Sequence, residues 1–139
     1  MDAKDQALNV ARNCFAVRLR KLNRVVSRHY DECFRPFGLT VAQFNLLVAI
    51  AAREGTTPSE LVASLSLEKS TVSRNVEKMQ GKGWVTIGAG EDKRTQTIQL
   101  TKAGEALLEE ALPAWKEAQK KTEKAVGNVS LLLKEISLT

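Results

Sequence analysis

A chain of 139 residues with 43% hydrophobic side chains can bury one core of ordinary size, which argues against a disordered tail protein. Lys and Arg number 21 against 16 Asp and Glu, a formal net charge of +5 that suits a polyanionic partner without requiring one. Cys14 and Cys33 are too few for a disulfide scaffold or a paired-cysteine zinc site, and no segment approaches the ~20 apolar residues of a membrane span. A cytoplasmic protein without metal, cofactor or membrane partner is therefore expected.

The stretch Asp5–Arg35 contains no Pro or Gly, and Phe15, Leu19, Leu22, Val26, Tyr30, Cys33 and Phe37 recur at spacings of three and four. That pattern predicts one long helix with an apolar stripe, ended by Pro36 and Gly38. At 1.5 Å per residue it would run ~45 Å, longer than a small domain covers, so part of the stripe is expected to pack on another subunit. Thr40 and Gln43, then Thr57 and Glu60 with Pro58 between them, have the spacing of capping boxes and start a second and a short third helix. A fourth helix begins near Glu68 or Lys69 and turns Val72, Val76 and Met79 inward.

Beyond Gly81 and Gly83 the period changes. Residues 84–87 and 97–100 read as two short strands, joined by a turn rich in glycine and charge over 88–94. Thr101 caps a fifth helix that carries Ala103, Leu107, Leu108, Ala111, Trp115 and Ala118 and contains Pro113 as an expected kink. Gly127 and Asn128 precede a final short helix with Leu131, Leu132, Leu133 and Ile136.

Two short helices, a tight turn and an immediate hairpin make a winged helix-turn-helix, in which one helix enters the major groove. The fourth helix has the composition for this, because Lys69, Ser70, Thr71, Ser73, Arg74, Asn75 and Lys78 surround its apolar face. Arg74 is the candidate for a guanine contact, since its fork donates twice to O6 and N7. Solvated decoration of an exposed face is the plain alternative for these cations. The segment from Asp92 to Gly104 weighs against that alternative. Asp92, Arg94, Leu100, Thr101 and Gly104 fill every fixed position of D-x-R-x-x-x-x-x-L-T-x-x-G, so the segment resembles the wing signature of the multiple-antibiotic-resistance repressor (MarR) family. Lys69–Arg74 resembles the start of that family's recognition helix, and the likeness extends over nearly the whole chain.

The resemblance implies a mainly α protein with a small β-hairpin wing. It would be a single domain over 1–139, with dimerisation helices at about 5–36 and 102–139 around a winged helix-turn-helix at about 40–101. It further implies a homodimer that binds pseudo-palindromic double-stranded DNA, in most members as a repressor. Lys93 and Arg94 at the wing would reach DNA, with Asp92 orienting the Arg94 guanidinium. Ser66 stands where the family commonly has glycine, so a strained backbone or a widened turn is expected there.

Release by a small phenolic or aromatic acid, as in many members, would draw on Tyr30, Phe34, Phe44 and Trp115, with Arg28 or His29 for the acid group. All four aromatics also serve as ordinary packing residues. Cys14 resembles the position of the reactive cysteine in the family's hydroperoxide sensors, with Arg12 and Arg18 as its nearby cations. That is the redox alternative, and a winged helix used only for protein contacts is another. An enzyme fits poorly, because His29 is the only histidine and a straight helix would hold it ~22 Å from Cys14.

Overall fold

The computed structural model describes residues 1–89 and 96–127. Among them the chain is mainly helical with one antiparallel hairpin, in the order α1 (Ala3–Asn13), α2 (Phe15–Phe34), a 3-10 turn (Arg35–Phe37), α3 (Val41–Arg53), α4 (Pro58–Leu65), α5 (Lys69–Gly81), β1 (Val85–Ala89), β2 (Gln96–Leu100) and α6 (Lys102–Val126). The final helix expected around Leu131 to Ile136 lies outside the described residues.

Local chemistry starts each helix as expected. Thr40 accepts from the Gln43 N–H while the Gln43 side chain accepts from the Thr40 N–H, and Thr57 and Glu60 repeat the exchange at α4. Thr101 caps α6 by accepting from the Gly104 N–H at 3.1 Å. One expectation fails at the N-terminus, where the single long helix is two helices, parted at Cys14 in an extended conformation (φ −67, ψ 114). The Asn13 side-chain amide donates to the Asn9 carbonyl at 3.0 Å, a local bond that competes with the backbone ladder just before the break. Cys14 is the N-cap of α2, and its carbonyl accepts from the Arg18 N–H at 3.1 Å, so the distance reckoned along a straight helix from Cys14 to His29 still applies.

The core joins α2 and α6 to the winged module. Phe34 and Phe44 stack at 4.5 Å between centroids and are 0% and 2% exposed. Leu46, Leu47, Ile50, Leu61, Val72, Met79, Val85 and Ile98 belong to the same cluster. Ala111, Ala114 and Ala118 form a buried small-residue face on α6, the longer of the two helices of the α2–α6 pair. The outer part of the α2 stripe has no partner among the described residues: Phe15 is 78% and Leu19 61% exposed.

The hairpin pairs Val85 with Leu100 through to Ala89 with Gln96. A third segment joins it, because Thr56 exchanges backbone hydrogen bonds with Ile98 (3.0 and 2.7 Å) and so fastens the α3–α4 turn to the wing. Ser66, between α4 and α5, adopts a left-handed conformation (φ 52, ψ 40), the strained backbone of the two alternatives its position offered. An L-residue there costs about 1–2 kcal/mol, part of which glycine returns through its greater unfolded freedom. Ser66→Gly is thus expected to raise stability by about 0.5–1 kcal/mol, read as a higher urea midpoint at unchanged slope.

Candidate nucleic-acid interface

Helix α5 is built to expose one face. Val72, Val76 and Met79 are 1%, 5% and 0% exposed and anchor it in the core, which leaves Lys69, Ser70, Ser73, Arg74 and Lys78 exposed and Thr71 and Asn75 half-buried. Asn75 Nδ2 donates to the Thr71 carbonyl at 2.9 Å, so one amide donor is already engaged within the helix. Glu68 at the N-cap makes no side-chain cap, so the first N–H groups of α5 are open to an outside acceptor. Among the described residues Lys69, Arg74 and Lys78 form no ion pair. The result is an exposed cationic helix start beside the hairpin, a surface whose charge and free donors match phosphate and base edges.

The hairpin is held to α6 by two residues of the wing signature. Thr101 Oγ1 donates to the Gly83 carbonyl at 2.6 Å, and its backbone N–H donates to the Trp84 carbonyl at 3.0 Å. Gly104 lies directly against that same Trp84 carbonyl, with no room for a side chain. Of the other members of the signature, Leu100 pairs with Val85, whereas Asp92 and Arg94, and Lys93 beside them, lie outside the described residues.

Sequence reasoning missed two ties that orient this surface. Asp31 on α2 accepts from the Val41 N–H at 2.7 Å and so caps α3 from a distant helix. Thr56 donates from its hydroxyl to Glu60 at 2.7 Å, and that bond, followed by the Thr57 N–H, holds the Glu60 carboxyl below the usual carboxylate range. The spacing of a capping box pointed to Thr57 and Glu60 but carried no sign of Thr56.

The proposed effector residues part company. Tyr30 and Trp115 line a cavity of about 560 Å3 together with Val26, Val41, Ala42 and Leu67. Burial pushes the Tyr30 phenol up, and its hydroxyl donates to Gln119. Phe34 and Phe44 are not in the cavity wall, because their stacked rings are core, and neither Arg28 nor His29 lines it. A second cleft of about 580 Å3, between α3, β2 and α6, is lined by Glu54, Glu105 and Glu109, whose charge would repel an acid. Cys14 is half-buried at the α1–α2 break.

Comparison with known proteins bears on this arrangement. The profile of the MarR family matches residues 37–95, and the fold resembles the transcriptional regulator MosR of M. tuberculosis, solved in complex with DNA, with a TM-score of 0.79 and 35% identity over 88% of this chain and 90% of that one. The chain belongs to the MarR family. A mutant MarR from E. coli complexed with operator DNA gives a TM-score of 0.78 at 25% identity, covering 97% of this chain and 98% of that one. Among curated MarR-type relatives, the uncharacterized HTH-type transcriptional regulator YwoH of Bacillus subtilis (strain 168) is 33% identical over 63% of this chain and 64% of its own length. The chain thus spans just under two thirds of the length of the curated relatives it matches, at 64% and 65% for the first of them. The first of those relatives are named as transcriptional regulators rather than enzymes, in keeping with the expectation from the sequence.

Proposed function

We propose that this MarR-family protein is a cytoplasmic, sequence-specific regulator of transcription that binds double-stranded DNA. It acts as a repressor by occupying a pseudo-palindromic operator as a homodimer. The observation that carries the reading is the start of α5, where Lys69, Ser70, Ser73 and Arg74 are exposed around an uncapped helix terminus, in a fold shared with two DNA-complexed regulators. In this reading Ser70, Thr71, Ser73, Arg74 and Asn75 face base edges while Lys69 and Lys78 meet phosphates. Lys93 and Arg94 would extend the contact into the neighbouring minor groove, with Asp92 orienting Arg94.

Dimerisation is supported by apolar residues of α1 and α2 that have no partner among the described residues. Leu8, Val10, Phe15, Leu19 and Val25 are 43%, 61%, 78%, 61% and 43% exposed, a row that a second copy would cover. The cavity between Tyr30 and Trp115 has the volume to seat a small phenol or aromatic acid, and its wall reaches from α2 and α6 to Leu65, Ser66 and Leu67 just before α5. Occupation there would tilt the reading helix and release DNA.

The test is binding to duplexes selected from a random pool, measured over a salt series. Affinity should fall steeply with salt, as it does when several phosphates are neutralised. Arg74→Ala is expected to cost about 1–3 kcal/mol on the selected site and to relax preference at one base position. Salt-insensitive binding, or an Arg74→Ala profile identical to the parent's, would exclude the assignment of α5 as the reading helix.

A further inference from the structure

Two helices of the chain end in the same kind of turn. After α2 and its 3-10 extension, Gly38 is left-handed (φ 69), its N–H donates to Arg35 at 3.0 Å, and the Leu39 N–H reaches Phe34 at 3.3 Å. After α5, Gly83 is left-handed (φ 78), its N–H donates to Gln80 at 3.0 Å, and the Trp84 N–H reaches Met79 at 3.0 Å. Both are the paired-bond ending in which a left-handed residue reverses the chain and two N–H groups return to the last carbonyls.

Lys82 joins the two turns. Its Nζ donates to the Gly38 carbonyl at 3.1 Å, across 44 residues of sequence, and lies 4.7 Å from the centroid of the Trp84 ring. Each contact favours a cation for its own reason. The Gly38 carbonyl closes the C-terminal end of the α2 unit, where partial negative charge gathers, and the indole face attracts an ammonium through its quadrupole. The elements so joined have different roles. Helix α2 packs on α6, Lys82 is the C-cap of α5, and Trp84 leads into β1 while its carbonyl accepts from Thr101 of the wing signature.

We infer that Lys82 is a positioning residue: its ammonium, shared between the Gly38 carbonyl and the Trp84 ring, holds α5 and the wing at the angle from α2 that base reading requires. This rests on the DNA-binding reading above. Lys82 is also an exposed cation beside the proposed interface, so the experiment separates a clamp from a phosphate contact. The parent, Lys82→Met and Lys82→Arg are compared on a selected operator and on an unrelated duplex over a salt series, with thermal melts alongside.

Lys82→Met should bind the selected site about 3- to 10-fold more weakly, the scale of one exposed charge-assisted hydrogen bond. Its binding to the unrelated duplex and its salt slope should match the parent's, and Lys82→Arg should recover most of the loss. An equal loss on both duplexes with a slope shallower by about 0.9 would mean a lost phosphate contact and overturn the clamp. Parental selectivity in Lys82→Met, or a lowered melting temperature with selectivity intact, would overturn it as well. A parent that binds no duplex would remove the DNA-binding reading and this inference together, which is a distinguishable result.

Discussion

Phe34→Ala is expected to cost about 3–5 kcal/mol of unfolding free energy, the range for deleting a buried aromatic ring. Phe34 is 0% exposed, stacks on Phe44 at 4.5 Å and lies near Tyr30 at 6.3 Å between centroids, so the truncation opens a void in the cluster that joins α2 to the winged module. Domains of this size have about 5–15 kcal/mol in all, so the variant should unfold at a much lower urea concentration. The same measurement separates two roles for the ring. A residue lining a ligand cleft would leave the urea midpoint near the parent's and change the response to aromatic acids, whereas a core residue does the reverse. A parental midpoint would return Phe34 to the list of effector residues.

Gly104→Ala should destabilise the chain by about 2–3 kcal/mol and lower the melting temperature by roughly 10 °C. A Cβ at this position would press into the Trp84 carbonyl oxygen and stand 3.1 Å from the carbonyl carbon and 3.4 Å from the Trp84 Cα. None of these atoms can rotate away. The Trp84 carbonyl accepts from Thr101 and its N–H donates to Met79, so relief requires moving the base of the hairpin away from α6. Alanine's better helix propensity, worth up to about 1 kcal/mol, opposes the clash without cancelling it. An unchanged melting temperature would show that the hairpin base yields freely. The packing also supplies a physical reason for two positions of the wing signature: Thr101 caps α6 and holds Gly83, and only glycine at 104 lets α6 start against Trp84.

Much of the fold could be read from residues a few positions apart. The capping boxes at Thr40 and Thr57, the apolar face of α5 and the alternation flanking the hairpin are all interactions over one turn or one strand pair, so their spacing survives in the linear order. Ser66 was legible for the same reason, as a conformational demand on one residue. The exposed basic start of α5 followed from its own helical period. The break at Cys14 did not, because neither Pro nor Gly marks it and the Asn13–Asn9 bond beside it is only one of several that an asparagine can make.

Sequence by itself determined the kinds of element and their order from α3 to α6, and which face of α5 would be left to solvent, because those depend on near neighbours. Tertiary structure alone decided that Tyr30 and Trp115 share a cavity while Phe34 and Phe44 fill the core, that Thr56 serves as a third edge to the wing, and that Lys82 reaches Gly38. Each of these depends on how two distant segments meet. Four aromatic rings on apolar helix faces look alike in one dimension, and only the packing of α2, α3 and α6 in space assigns them to a wall or to an interior.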